Sequence, residues 1–122
     1  MNKKILSVDD SSSMRQIIKS CLNKEGYEIF EAEDGDVALE KIKSGEKYDL
    51  FLVDVNMPNM DGITLIKEIR KLGDLNATPI IMLTTESQPE RKAEGAKAGA
   101  TGWIVKPFEP DSFIKVINRI LK

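Results

Sequence analysis

The stretch Leu50-Phe51-Leu52-Val53-Asp54 decides the fold. It is an unbroken apolar run that stops at a carboxylate. A strand with one wet face alternates apolar and polar residues, so an unbroken run reads as a parallel strand covered on both faces. Ile80-Ile81-Met82-Leu83, followed by Thr84, has the same form, and Ile5-Leu6-Ser7-Val8, followed by Asp9-Asp10, is nearly continuous. Tyr27 to Phe30 and Trp103-Ile104-Val105, followed by Lys106, complete a set of five strands.

Between the strands the period changes to that of a helix. Met14, Ile17, Ile18, Cys21 and Leu22 form one apolar stripe. Val37, Ala38 and Ile42 form a shorter one that ends near Gly45, and Leu65, Ile66, Ile69 and Leu72 form a third that ends at Gly73. Phe113, Val116, Ile117, Ile120 and Leu121 form the last, with Pro110 in a first turn where its missing N–H costs nothing. Ser12 is the expected cap of the first helix. The segment from Pro89 to Ala98 is the weakest helix, with alanines as its only apolar residues and Gly95 inside it, a cost of about 1 kcal/mol. Pro89 suits its start and Gly99 its end.

Strands alternating with helices predict an α/β fold: a flavodoxin-like (βα)5 doubly wound domain. Its five-stranded parallel sheet would run in the order 2-1-3-4-5. No composition break interrupts the chain, so residues 1–122 are expected to form one domain. Ligands in such sheets bind beyond the carboxyl ends of the strands, at the switch point between strands 1 and 3.

Composition narrows the chemistry. Of 122 residues, 41% are hydrophobic and 31% charged, the balance of a globular protein. Lys and Arg number 18 against 20 Asp and Glu, so there is no basic excess for nucleic acid, and no nucleic-acid partner is expected. No apolar stretch reaches the ~18 residues of a membrane span. Met1-Asn2-Lys3-Lys4 runs straight into a strand without a signal-peptide core, so the expected location is the cytoplasm, away from membranes. A lone Cys21 forms no internal disulfide and reads as an inert core thiol. Histidine is absent, which excludes His-based metal sites and Ser-His or Cys-His catalysis. What remains is carboxylate, hydroxyl, lysine and bound-ion chemistry.

Those groups stand where the sheet rule points. Asp9 and Asp10 follow strand 1, Asp54 ends strand 3, Thr84 ends strand 4 and Lys106 follows strand 5. Taken singly, an Asp pair is a turn or a helix cap, and a lysine is a surface charge. Their coincidence at the ends of four strands is what carries information. Carboxylates this close do not all stay ionised unaided, and one lysine leaves a deficit of about two charges. An all-oxygen site with that deficit suits Mg²⁺, with Mn²⁺ as the alternative.

These residues carry a resemblance over essentially the full chain. Val8-Asp9-Asp10, the run Val53 to Gly62, Met82-Leu83-Thr84-Thr85 and Val105-Lys106-Pro107-Phe108 resemble the receiver domains of two-component response regulators. Ala32-Glu33-Asp34-Gly35 and Ala96-Lys97-Ala98-Gly99-Ala100 fit the same pattern, and Asn56 to Gly62 is most similar to the single-domain chemotaxis type. The resemblance implies that Asp54 is the phosphoacceptor. Asp10, Asp54 and the backbone carbonyl of Asn56 would bind Mg²⁺ directly, with Asp9 acting through water. Thr84 and Lys106 would bond phosphoryl oxygens, with the Lys106-Pro107 bond cis. Trp103 would occupy the place of an aromatic that turns inward when the threonine moves. Asn56 and Glu86 would admit water quickly and keep the phosphate short-lived.

The implied partners are a histidine kinase or a phosphotransfer domain, and a downstream protein on the face of helix 4, strand 5 and helix 5. That face departs from the chemotaxis type, because Glu90-Arg91-Lys92-Ala93-Glu94 is polar and charged. With no residues after Lys122, no DNA-binding output is expected in the same chain. The alternative function is a pseudo-receiver that only binds proteins. It would be marked by loss of an acidic residue, Thr84 or Lys106, and all are present. A flavodoxin would need a glycine- and hydroxyl-rich loop where Asp9-Asp10 stand. A haloacid-type phosphatase would need aspartate where Asn56 stands.

Overall fold

Five parallel strands pair in the order β2-β1-β3-β4-β5. The computed structural model describes residues 2–55, 57, 60–73, 77–85 and 89–122. In chain order the elements are β1 (Lys4–Val8), α1 (Ser12–Asn23), β2 (Glu28–Ala32), α2 (Gly35–Lys43), β3 (Leu50–Asp54), α3 (Gly62–Arg70), β4 (Ile80–Thr84), α4 (Pro89–Ala98), β5 (Gly102–Val105) and α5 (Pro110–Leu121). The expected fold class and strand order are both found. Among the described residues, no helix is long and apolar enough to cross a membrane.

Alternate side chains of each strand feed opposite faces of the sheet. Leu50 and Leu52 pack with Ile18 and Leu22 of α1 and with Phe113 and Ile117 of α5. Phe51 and Val53 pack with Ala38 and Ile42 of α2, Leu65, Ile66 and Ile69 of α3, and Ala98 of α4. All of β3 and β4 is therefore buried, which is why both read as unbroken apolar runs. Each fully buried leucine or isoleucine contributes roughly 1.5–3 kcal/mol. Ser7 interrupts the run of β1: it is fully buried, and its hydroxyl has no hydrogen-bond partner among the described residues.

The structure revises several local expectations. β2 lies one to two residues later than Tyr27 to Phe30, because Tyr27 belongs to the core under α1 and α5 and bonds Asn118 through its hydroxyl. The cap of α1 is Ser11, not Ser12: its side chain accepts the Met14 N–H at 3.2 Å. Ser11 is held there because its own N–H donates to Asp9 Oδ1 at 2.9 Å. α3 closes at Arg70, before Gly73.

α4 has the expected bounds, but Gly95 has a different meaning. A Cβ at that position would lie 2.1 Å from Met82 Sδ and 2.4 Å from its Cε. The glycine lets α4 sit directly on the β4 methionine, so it is a close approach and not merely a helix defect. Gly99 closes the helix at φ +118°, donating to the Gly95 and Ala96 carbonyls.

Candidate functional site

The carboxyl ends of β1, β3 and β5 bring acidic and basic side chains together, with β4 ending alongside. Asp54, the last residue of β3, is 3% exposed, and Asp9, just beyond β1, is 1% exposed. Asp10 stands beside them in water. One carboxylate oxygen from each of Asp9, Asp10 and Asp54 lies within 4.8 Å of the others. The Lys106 ammonium reaches in from the end of β5, 3.2 Å from Asp54 Oδ1 and 3.4 Å from Asp9 Oδ2. Burying such charges is tolerable only with this pairing. Lys106 touches two of the three carboxylates, so the site keeps a net negative charge, and every acidic donor is oxygen. That donor set fits a hard divalent cation such as Mg²⁺.

Backbone contacts fix each part. The Asp9 N–H donates to the Ala32 carbonyl at 3.1 Å, extending the β1–β2 ladder to the site. The Val55 N–H donates to the Leu83 carbonyl at 3.0 Å, which locks the chain just past Asp54. Thr84, 2% exposed, ends β4 beside it, and its carbonyl accepts the Lys106 N–H. The Lys106-Pro107 bond is cis. Asp9, Asp10, Asp54 and Lys106 are thus brought together, with Thr84 on the adjoining strand end. Asn56 and Glu86 lie outside the described residues.

The Asp61-Gly62 pair has a physical reason at this site. A Cβ on Gly62 would stand 2.3 Å from the Asp54 carbonyl oxygen, so only glycine lets α3 begin against the end of β3. The Gly62 N–H donates to the Val55 carbonyl at 3.0 Å. Asp61 caps the helix, its Oδ1 accepting the Thr64 N–H at 2.8 Å. The largest influence on the Asp61 carboxyl is burial, which pushes its pKa up. Bonds from the Thr64 N–H and hydroxyl, the Arg91 charge and the Ile63 N–H together outweigh burial, so the pKa lies below the ordinary value.

Two arginines at the margins were not singled out from the sequence as site residues. Arg15 of α1 bonds the Asp9 carbonyl and pairs with Glu31 of β2. Arg91 of α4 lies 3.5 Å from the Val55 carbonyl and 3.9 Å from Asp61. The sequence does hold one signal for Arg15: a basic residue in the first turn of a helix opposes the helix dipole and calls for a reason.

Trp103 is 48% exposed on the edge strand β5, with Val105 beside it at 38%. The Lys92 ammonium of α4 sits 4.9 Å from the Trp103 ring centroid, a cation–π contact. The surface of α4 and β5 therefore carries a lysine stacked on an outward-facing tryptophan.

The response regulator receiver domain model matches residues 5–118. The chain belongs to the response regulator receiver family. It is 42% identical over 122 residues to the chemotaxis protein CheY-3 of Vibrio cholerae, covering 99% of this chain and 93% of that one. It is 44% identical over 119 residues to the chemotaxis protein CheY1 of Helicobacter pylori, covering 97% and 96%. The solved structure of CheY4 from Vibrio cholerae superposes with a TM-score of 0.93 at 45% identity, covering 98% of this chain and 99% of that one. This receiver is thus of the CheY type, consistent with a two-component phosphorelay, and receivers typically use Mg²⁺.

Proposed function

We propose that residues 1–122 form one receiver domain that accepts a phosphoryl group on Asp54 from a histidine kinase or a phosphotransfer domain. The reaction requires Mg²⁺, with Mn²⁺ as substitute, and the product alters the domain's affinity for a protein. The convergence of Asp9, Asp10 and Asp54 within 4.8 Å, with Lys106 bridging Asp9 and Asp54, is the observation that carries this reading.

An Asp54 carboxylate oxygen attacks phosphorus as the bond to the donor nitrogen breaks, and the aspartate becomes an acyl phosphate. The catalytic demand is mainly on position and charge. Asp9, Asp10 and Asp54, with the Asn56 carbonyl, would hold the metal, Asp9 through water. When bound, the ion supplies positive charge to the phosphoryl oxygens and to the crowded carboxylates. Lys106 is already within 3.2 Å of Asp54 and would turn its ammonium to a phosphoryl oxygen. The Thr84 hydroxyl would bond another. Movement of Thr84 would draw Trp103 inward and break its stack with Lys92, changing the surface of α4, β5 and α5 for a downstream protein. A role in chemotaxis follows from the CheY relatives, and a cytoplasmic location fits it.

Incubation with acetyl phosphate and Mg²⁺, read by intact-protein mass spectrometry, should add one phosphoryl group. Asp54→Asn and metal chelation should each abolish the addition. A wild-type protein that stays unmodified while binding partner proteins would support the pseudo-receiver instead.

A further inference from the structure

We propose that Arg15 is a positioning residue that holds the Asp9–Asp10 turn in its metal-binding geometry. The inference rests on the reading of these carboxylates as a divalent-cation site.

Arg15 occupies the first turn of α1, where its N–H makes the opening helical bond to the Ser11 carbonyl. That turn carries no acidic residue. A cation there faces the positive end of the helix dipole, so placement in the helix opposes it. Its side chain is nevertheless only 17% exposed and folds back toward the sheet. One terminal nitrogen donates to the carbonyl of Asp9, and Nε lies 3.0 Å from Glu31 Oε1.

The Asp9 carbonyl belongs to the peptide plane that joins Asp9 to Asp10. Fixing it fixes the direction in which Asp10 leaves the strand. The rest of Asp9 is already pinned: its N–H by Ala32, one carboxylate oxygen by the Ser11 N–H and the other by Lys106. Asp10 is exposed, and no hydrogen bond or ion pair holds its side chain among the described residues. Its carboxylate therefore depends on the backbone plane for its aim, and Arg15 holds that plane.

Charge alone would have the opposite effect. A lone guanidinium near the carboxylates would repel a divalent cation. Glu31 masks it, and Lys19 at 3.9 Å keeps Glu31 in place. The pair thus delivers a donor to the Asp9 carbonyl with its charge offset. Outer partners of this kind typically change metal affinity about 10–100-fold when removed.

The test is titration of Mn²⁺ into the full chain, following the electron paramagnetic resonance of the free ion. Arg15→Met keeps the apolar stem and loses every donor, and should weaken Mn²⁺ about tenfold. Arg15→Lys keeps one donor nitrogen, without the guanidinium fork that spans two partners, and should recover part of that loss. Asp10→Asn, run alongside, should weaken binding strongly. Melting of the metal-free proteins shows whether each variant is folded. Unchanged Mn²⁺ affinity in a folded Arg15→Met protein, with Asp10→Asn impaired, would overturn the positioning role and leave the metal site standing. Tighter binding in Arg15→Met would mean that repulsion dominates, and would overturn it too. Wild-type protein without saturable Mn²⁺ binding would overturn both the site and the proposal.

Discussion

Asp10→Asn should stabilise the metal-free domain while removing its response to Mg²⁺. One oxygen from each of Asp9, Asp10 and Asp54 lies within 4.8 Å of the others, and of these three carboxylates Lys106 contacts Asp9 and Asp54. Two unit charges at that separation repel by about 0.9 kcal/mol in bulk water and about 3.5 kcal/mol at an effective dielectric of about 20. Asp10 is exposed, so the lower figure is nearer, and Lys106 offsets part of the sum over two neighbours. A net relief of about 1 kcal/mol follows, which for a domain of this size raises Tm by about 3–6 °C. With Mg²⁺ at about tenfold its Kd, the wild type gains about 1.4 kcal/mol by linkage, whereas the asparagine variant loses most of that gain. The order of stabilities should therefore reverse. Scanning calorimetry with EDTA and then with rising Mg²⁺ reads both halves. A lower Tm for the variant in EDTA, or an equal Mg²⁺ gain in both proteins, would refute the charge argument.

Other substitutions probe the frame around the site. Gly95→Ala should lose stability by up to about 2 kcal/mol, since overpacking against Met82 exceeds the gain in helix propensity. In a Met82→Val background the same change should become stabilising, and denaturant midpoints of the four proteins check the reversal. Ser7→Ala removes a buried hydroxyl that has no partner among the described residues, and should raise stability by about 1 kcal/mol in urea unfolding. Asp61→Asn keeps a capping oxygen but loses the charge beside Arg91. Because the Asp61 pKa is lowered in the fold, its contribution is full above the ordinary carboxylate pKa and fades as pH falls through the lowered value. The stability difference between the two proteins should be present at about pH 6 and shrink as pH falls below the ordinary carboxylate pKa.

The parts legible in the sequence are those set by local pattern. β3 and β4 are covered on both faces, so their apolar runs were unbroken and their carboxyl-end residues could be placed. Edge strand β2 is exposed or partly exposed from Glu28 to Glu31, and the buried Tyr27 blurred its start. The cap at Ser11 depended on the Asp9 carboxylate, a contact visible only once the turn is built. Gly95 looked like a helix defect because its reason, the Met82 side chain, is on another element. Arg15 and Arg91 act through partners 16 and 36 residues away, Glu31 and Val55, and no local pattern reports such pairs.

The central claim is that Asp54 becomes an acyl phosphate. Borohydride reduces an aspartyl phosphate to homoserine and leaves free carboxylates unchanged. The receiver should be phosphorylated with acetyl phosphate and Mg²⁺, reduced at once, digested and sequenced by mass spectrometry. The account predicts homoserine at position 54, present only when Mg²⁺ and phosphodonor are both supplied. Homoserine at position 9 or 10, or none anywhere after verified exposure to donor and metal, would contradict it.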